Sequence, residues 1–339
     1  MRFYDRFMSV PKVFPSDYID FLIASPKTYS GAEAARVQPA ATDPPAHDAF
    51  TRLLTRLEPD PGTLWTEAEP QVRRTDGVLV VDDSTLDKPY ARAIELVTRH
   101  WSGKHRAVVQ GINLVSLLWT DGDRHIPCDY RIYDTADGRT KNDHFGDMIR
   151  AAYARGLKPR CVVFDGWYGS LDNLTLIRNC GWTWLTRLKS NRLVNKDRQG
   201  TRALKDTALA ATGTQVWLPG FGLVTVFGIA TPDGGTVYWA TNDRSMTDLT
   251  RLQLAQFSWA IEHYHRGIKQ CTGVERCQCR KARAQRNHIG LALRAFLRFE
   301  AHCFARGVRW VEAKTAIIRD AVRSYLARPH ITFPIARTA

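Results

Sequence analysis

Four acidic residues stand where chemistry is expected. Asp82 and Asp83 follow the apolar run of VLVVDDSTLDK, Asp165 lies between CVVF and a Gly-rich turn, and Glu262 sits inside WAIEHYHRGIK. The carboxyl end of a buried strand is where the loops of an α/β sheet open outward and where such folds place their sites. Two strand-end Asp and one helical Glu offer only hard oxygen ligands, a donor set that suits Mg²⁺ or Mn²⁺ rather than Zn²⁺. Two such ions, about 4 Å apart, activate a water or a 3′-OH and stabilise the leaving oxygen of an in-line phosphoryl transfer.

Glu262, His265, Arg266 and Lys269 fall at i, i+3, i+4 and i+7, so a helix carries them on one face. Trp259 and Ile261 beside the Glu predict that it is partly buried. Between Tyr264 and Arg286, Arg266, Lys269, Arg276, Arg280, Lys281, Arg283 and Arg286 stand against one acid, Glu275. A metal carboxylate adjoining a one-signed basic stretch is what a nuclease-type site on a phosphate backbone needs. The plain alternative is a solvated ion-pair face.

The charge of the whole chain points the same way. Its 339 residues hold 48 Lys+Arg against 34 Asp+Glu, net +14, which calls for a polyanionic partner, nucleic acid before an anionic membrane surface. The excess is C-terminal: residues 1–72 carry a net −3 and residues 244–339 a net +12. No run approaches the ~18 apolar residues of a membrane span, and no leader pattern is legible at the N-terminus, so no membrane association or secretion is expected. Seven scattered Cys argue against a disulfide framework and fit a reducing cytoplasm. A Zn site from Cys271, Cys277 and Cys279 with His263 or His265 is a minor alternative, because its spacings are not those of paired knuckles.

The elements that must position these residues follow from periodicity and punctuation. Residues 1–72 read as short helices, over 17–24, 31–36, 47–57 and 61–72, forming either a small helical cap or a helix-turn-helix-like unit. Strands are expected over 78–81, 107–119, 126–133, 161–164 and 182–188, with helices over 143–155 and 171–179: a mixed sheet with helices on its faces. Short strands over 215–218, 223–229 and 237–241 read as a β-rich insertion spanning 190–244. One long helix over 246–269 then carries Glu262, and apolar-periodic helices complete the basic region 245–339.

The string WAIEHYHRGIKQCTGVER resembles the signature of DDE transposases of bacterial insertion sequences, in the cut-and-paste group with a β-strand insertion domain. There a Glu follows Trp-x-Ile and a Lys stands seven residues later, as Glu262 and Lys269 do. Asp82-Asp83-Ser84-Thr85-Leu86 is similar to the family's Asp-x-Ser/Thr-x-Leu with Asp82 as ligand, while Asp83 fits a shorter Asp-x-Thr form. VVFDGWYGS resembles the second-Asp segment. The separations, 83 residues to Asp165 and 97 more to Glu262, leave room for the insertion. In place of a Tyr and an Arg often found seven and four residues before the Glu, this chain has Ala255 and Ser258.

The resemblance implies an RNase H-like core in two parts, 73–189 and 245–339, behind an N-terminal helical domain. It implies that Asp82, Asp165 and Glu262 hold two Mg²⁺ (or Mn²⁺). The reaction would be cleavage at terminal inverted repeats followed by joining of the 3′-OH ends to target DNA, with a homodimer in the synaptic complex. Lys269 would grip a phosphate near the scissile bond, and Arg276, Arg280, Lys281, Arg283 and Arg286 would track the backbone beside His265 and Arg266. A Mg²⁺-dependent phosphatase would need Asp-x-Asp at the strand end, where this chain has adjacent Asp82 and Asp83. A DNA-binding protein without catalysis would keep the charge but leave the three carboxylates without a use.

Overall fold

The computed structural model describes residues 10–102 and 106–329. Four short helices lead: α1 (Pro15–Ala24), α2 (Gly31–Arg36), α3 (His47–Arg56) and α4 (Gly62–Ala68). The sheet region holds β1 (Val78–Asp87), β2 (Thr98–Ser102), β3 (Ala107–Thr120) and β4 (His125–Tyr133), then α5 (Lys141–Ala154), β5 (Cys161–Phe164), α6 (Leu171–Asn179) and β6 (Trp184–Leu188). A small hairpin follows, β7 (Leu193–Val194) with β8 (Arg202–Ala203), then β9 (Thr214–Leu218), β10 (Gly222–Ala230) and β11 (Thr236–Thr241). Helices α7 (Asp248–Gln256), α8 (Ser258–Cys271), α9 (Ala282–Arg306) and α10 (Trp310–Ala327) end the chain.

Nine of the strands make one mixed sheet, ordered β2-β3-β1-β5-β6-β11-β10-β9, with β4 also paired to β3. β1 is antiparallel to β3 and parallel to β5, and β5 is parallel to β6. The apolar runs VLVV and CVVF are buried throughout, as expected for interior parallel strands covered on both faces. Helices α5 and α6 pack together, with α5 against β3 and β4, while α8 lies against β1 and β4 and α7 against β5 and β6. The architecture is the mixed α/β, RNase H-like sheet expected from the sequence, with helices on its faces. β9, β10 and β11 pair edge to edge and join β6 through β11, so the strands of 190–244 extend the central sheet; β7 and β8 form a separate pair.

The N-terminal helices share the core. α1 and α3 pack on α9, and α4 packs on α9 and β4, within one buried apolar cluster that reaches from Val13 to Leu297. Two boundaries differ from the sequence reading. β1 continues past Val81 to Asp87, because β3 pairs with it along its whole length. The long helix over 246–269 is two helices with a break at Phe257, where hydrogen bonds tighten to i→i−3 (Phe257 N–H to Leu254 O, Ala260 N–H to Phe257 O). No helix among the described residues is long and apolar enough to cross a membrane.

Candidate active site

The strand register brings the first two carboxylates together. β5 pairs in parallel with β1 from Val78↔Cys161 to Val81↔Phe164 and stops there, so Asp82 and Asp165 are the next residues on neighbouring strands. Strands lie roughly 4.8 Å apart, and equivalent positions of a parallel pair face the same side. Asp165 then turns the chain: its Oδ1 accepts from Trp167 N–H at 2.8 Å and caps the short helical turn Gly166–Tyr168. That turn hugs β6 so closely that a Cβ on Gly166 would lie 2.3 Å from the Arg187 carbonyl oxygen. Arg187 itself reaches within 3.9 Å of Asp165.

Helix α8 supplies the third carboxylate. Ile261, Tyr264 and Ile268 bury its inner face, and Glu262 is exposed on the outer one, not partly buried as its apolar neighbours suggested. Electrostatics tie the three together. Burial first, then the charges of Asp83, Asp165 and Glu262, push the Asp82 carboxyl up to about 8. Three elements far apart in sequence thus place their carboxylates in one field, with Asp82 at its centre.

Asp83 is held differently. Its Oδ2 accepts from Asn113 Nδ2 at 2.7 Å and Lys141 Nζ at 2.8 Å, and its Oδ1 accepts from the Tyr168 hydroxyl at 2.8 Å. Against the penalty of burial, the Lys141 charge and these donors keep the Asp83 carboxyl below the usual range. Both oxygens are engaged, so Asp82 is the freer of the two neighbours for an incoming ligand. The sequence reading missed Lys141, Asn113 and Tyr168. Tyr168 stands three residues after Asp165, the one signal available, whereas the other two meet Asp83 only through the fold.

An all-carboxylate donor set fits a hard divalent cation. Among the described residues no three His, Cys, Asp or Glu side chains are drawn close enough to enclose one. Cys271 packs with Phe299 and Cys303, apart from the cluster that holds Cys277 and Cys279, so the three thiols considered for Zn do not form one group.

The basic residues divide into four groups. His265 is buried, and burial followed by the Lys269 charge pushes its imidazole down to about 3, so as placed it is neutral and offers nothing to a phosphate; this corrects its inclusion in the DNA-facing set. Lys269 is half-buried, donates to the Thr85 carbonyl at 2.7 Å and lies 3.8 Å from Glu275, bracing α8 against β1. Lys281 pairs with Glu95, Arg283 with Glu58, and Arg286 with Asp134 and Asp137. Arg266, Arg276 and Arg280 are exposed and make no ion pair among the described residues.

Residues 46–207, which include Asp82 and Asp165, match the family model described as DDE superfamily endonuclease. The fold is similar to that of the piggyBac transposase in a cryo-EM synaptic complex with hairpin DNA, at 12% identity and a TM-score of 0.51, over 95% of this chain and 74% of that one. The Drosophila P element transposase in a strand transfer complex aligns over 50% of this chain and 37% of its own, at 13% identity and a TM-score of 0.27, too low to carry an argument. No curated protein matches. The chain is thus similar to DDE superfamily endonucleases over residues 46–207 and shares the fold of the piggyBac transposase along nearly its whole length.

Proposed function

We propose that the chain is a DNA transposase that cuts at the terminal inverted repeats of its element and joins the resulting 3′-OH ends to target DNA. The observation that carries the reading is that the charges of Asp165 and Glu262 both act on the Asp82 carboxyl, which burial first, then the Asp83 charge and then these two push up to about 8. Asp82, Asp165 and Glu262 would hold two Mg²⁺ or Mn²⁺. When bound, these ions supply Lewis-acid stabilisation of the phosphate oxygens and a deprotonated nucleophile.

The other residues act around that centre. Asp83, fixed by Asn113, Lys141 and Tyr168, holds β1 in the position that presents Asp82. Lys269 ties the helix of Glu262 to the strand of Asp82 through the Thr85 carbonyl. Arg266, Arg276 and Arg280 are the cations offered to DNA backbone. Lys281, Arg283 and Arg286 would join them by exchanging acids for phosphates. A homodimer is the assembly this reading expects, since two ends must be cut together. The N-terminal helices, acidic overall and packed on α9, are a smaller part of the DNA surface than the basic region 245–339.

The test uses end-labelled duplex carrying the inverted repeats that flank the coding region. With Mg²⁺ or Mn²⁺, strand breaks are expected at the repeat terminus and not in an unrelated duplex. Binding of the repeats without breakage in either ion would contradict the proposal.

A further inference from the structure

The loop between α8 and α9 carries chemistry that the carboxylate site does not use. Burial alternates along residues 277–280: Cys277 is buried, Gln278 exposed, Cys279 half-buried and Arg280 exposed. The alternation turns both thiols to the inner side of the loop, where they pack against one apolar cluster. Two side chains from other elements pin that shape. Lys88 Nζ, just past β1, donates to the carbonyls of Glu275 at 2.7 Å and Cys277 at 2.5 Å. Gln285 Nε2, in the first turn of α9, donates to the carbonyls of Cys277 at 3.2 Å and Cys279 at 2.6 Å. Cα atoms two residues apart lie at most about 7 Å from each other, so a slight bend brings them within disulfide range.

The two thiols differ in the way that a reactive pair needs. Lys88 is buried with backbone carbonyls as its hydrogen-bond partners, so its charge stands beside the sulfurs without being quenched by water. A hydrogen bond from the Cys277 thiol, working against burial and helped by the Lys88 charge, brings the Cys279 thiol down to about 7. The same hydrogen bond, then burial, push the Cys277 thiol up. Burial also pushes up the thiols of Cys128, Cys161, Cys180, Cys271 and Cys303. A reachable thiolate beside a buried thiol that keeps its proton is the arrangement of a nucleophile and its resolving partner.

We propose that Cys279 and Cys277 are a peroxide-reactive thiol pair that closes to a disulfide within the loop. The Cys279 thiolate attacks one oxygen of hydrogen peroxide. An S–O bond forms, the O–O bond breaks, and the hydroxide that leaves takes up a proton to become water. The Cys277 sulfur then attacks the Cys279 sulfur. The S–S bond forms, the S–O bond breaks, and hydroxide departs as water with the Cys277 proton. The two thiols lose two electrons and the peroxide gains them. This goes beyond the proposed function and does not rest on it, although the same loop bears Arg276 and Arg280.

The experiment maps the thiols of the full-length chain by mass spectrometry. With limiting iodoacetamide at pH 7, Cys279 is expected to react about fivefold faster than Cys180, the other half-buried cysteine. Its larger thiolate fraction outweighs its lower intrinsic nucleophilicity. After equimolar hydrogen peroxide, the tryptic peptide 277–280, CQCR, should be two hydrogens lighter and refuse iodoacetamide until reduced by dithiothreitol. Cys277→Ser should instead leave Cys279 as a sulfenic acid that dimedone traps, and Cys279→Ser should leave Cys277 reduced. The wild-type measurements decide the matter even if a serine variant folds poorly. Cys279 reacting no faster than Cys180, or a CQCR peptide that keeps both thiols after peroxide, would overturn the proposal. Dimedone labelling of Cys277 in Cys279→Ser would overturn the assigned order of attack. No DNA or divalent metal enters the assay, so these outcomes are independent of whether Asp82, Asp165 and Glu262 are catalytic.

Discussion

Asp82 and Asp83 are adjacent on β1 and point to opposite faces of the sheet, where different surroundings give them different chemistry. Burial, then the charges of Asp83, Asp165 and Glu262, hold Asp82 back from ionising; Asp83 meets Lys141, Asn113 and Tyr168 and stays ionised. Two expectations follow at this scale. Asp83→Asn leaves Lys141 without its counter-charge in a half-buried place, and should lower stability by about 1–3 kcal/mol in urea denaturation. An unchanged midpoint would show that the network is not structural. Adding Mg²⁺ or Mn²⁺ should raise the thermal midpoint of wild type, since a ligand bound only by the folded state stabilises it, and Asp82→Asn should lose that rise. An equal rise in both proteins would place the ion elsewhere.

Element packing sets a pH dependence. His288 of α9 is buried between the Tyr18 hydroxyl of α1, 2.9 Å away, and the Gly273 carbonyl of the α8–α9 loop, 3.1 Å away. Burial, then the Lys88 charge, pushes its imidazole down to about 3. The unfolded chain takes up this proton near pH 6.5 and the folded chain only near pH 3, so stability is retained above 6.5 and lost progressively as pH falls between those values. His265 adds a loss of the same sign. Chemical denaturation across pH 4–7 should therefore show a shallower slope in His288→Gln, by up to one proton. An unaltered slope would mean that His288 is protonated in the folded state.

The same scale explains what the sequence could and could not tell. The buried runs at 78–81 and 161–164 and the helix over 171–179 were legible because their apolar patterns are local. The polar residues Asp82–Thr85 conceal that β1 continues, since their pairing with β3 is non-local. β2 is a short polar strand, Thr98–Ser102, with no alternation to betray it. The apolar period runs through Phe257 and hides the break before α8. Likewise the strands over 214–241 were readable, but the pairing of Trp239 with Arg187 that joins them to the central sheet is tertiary information. Of the candidate site, the three acids were legible as residue types at strand ends and on a helix; the donors around Asp83 were not.

At the scale of the whole molecule, the net +14 is a less uniform DNA surface than the sequence suggests. Lys281, Arg283 and Arg286 already face Glu95, Glu58 and Asp134, whereas Arg276 and Arg280 stand free of ion pairs among the described residues. Arg276→Ala and Arg280→Ala are each expected to flatten the salt dependence of duplex binding by about 0.9 in the slope of log K against log salt. Lys281→Ala should change it less, because its charge is already offset by Glu95. Equal slopes for all three variants would show that the ion pairs open on binding.

The central claim is that Asp82, Asp165 and Glu262 together form one catalytic centre, and the most direct measurement compares cleavage and binding in single carboxylate variants. Asp82→Asn, Asp165→Asn and Glu262→Gln, each with end-labelled inverted-repeat DNA and Mn²⁺, are predicted to bind the DNA within a few-fold of wild type and to cut it at least a hundredfold more slowly, on the order of what loss of a metal-holding residue costs. Cleavage at the wild-type rate by any one of the three would contradict the account.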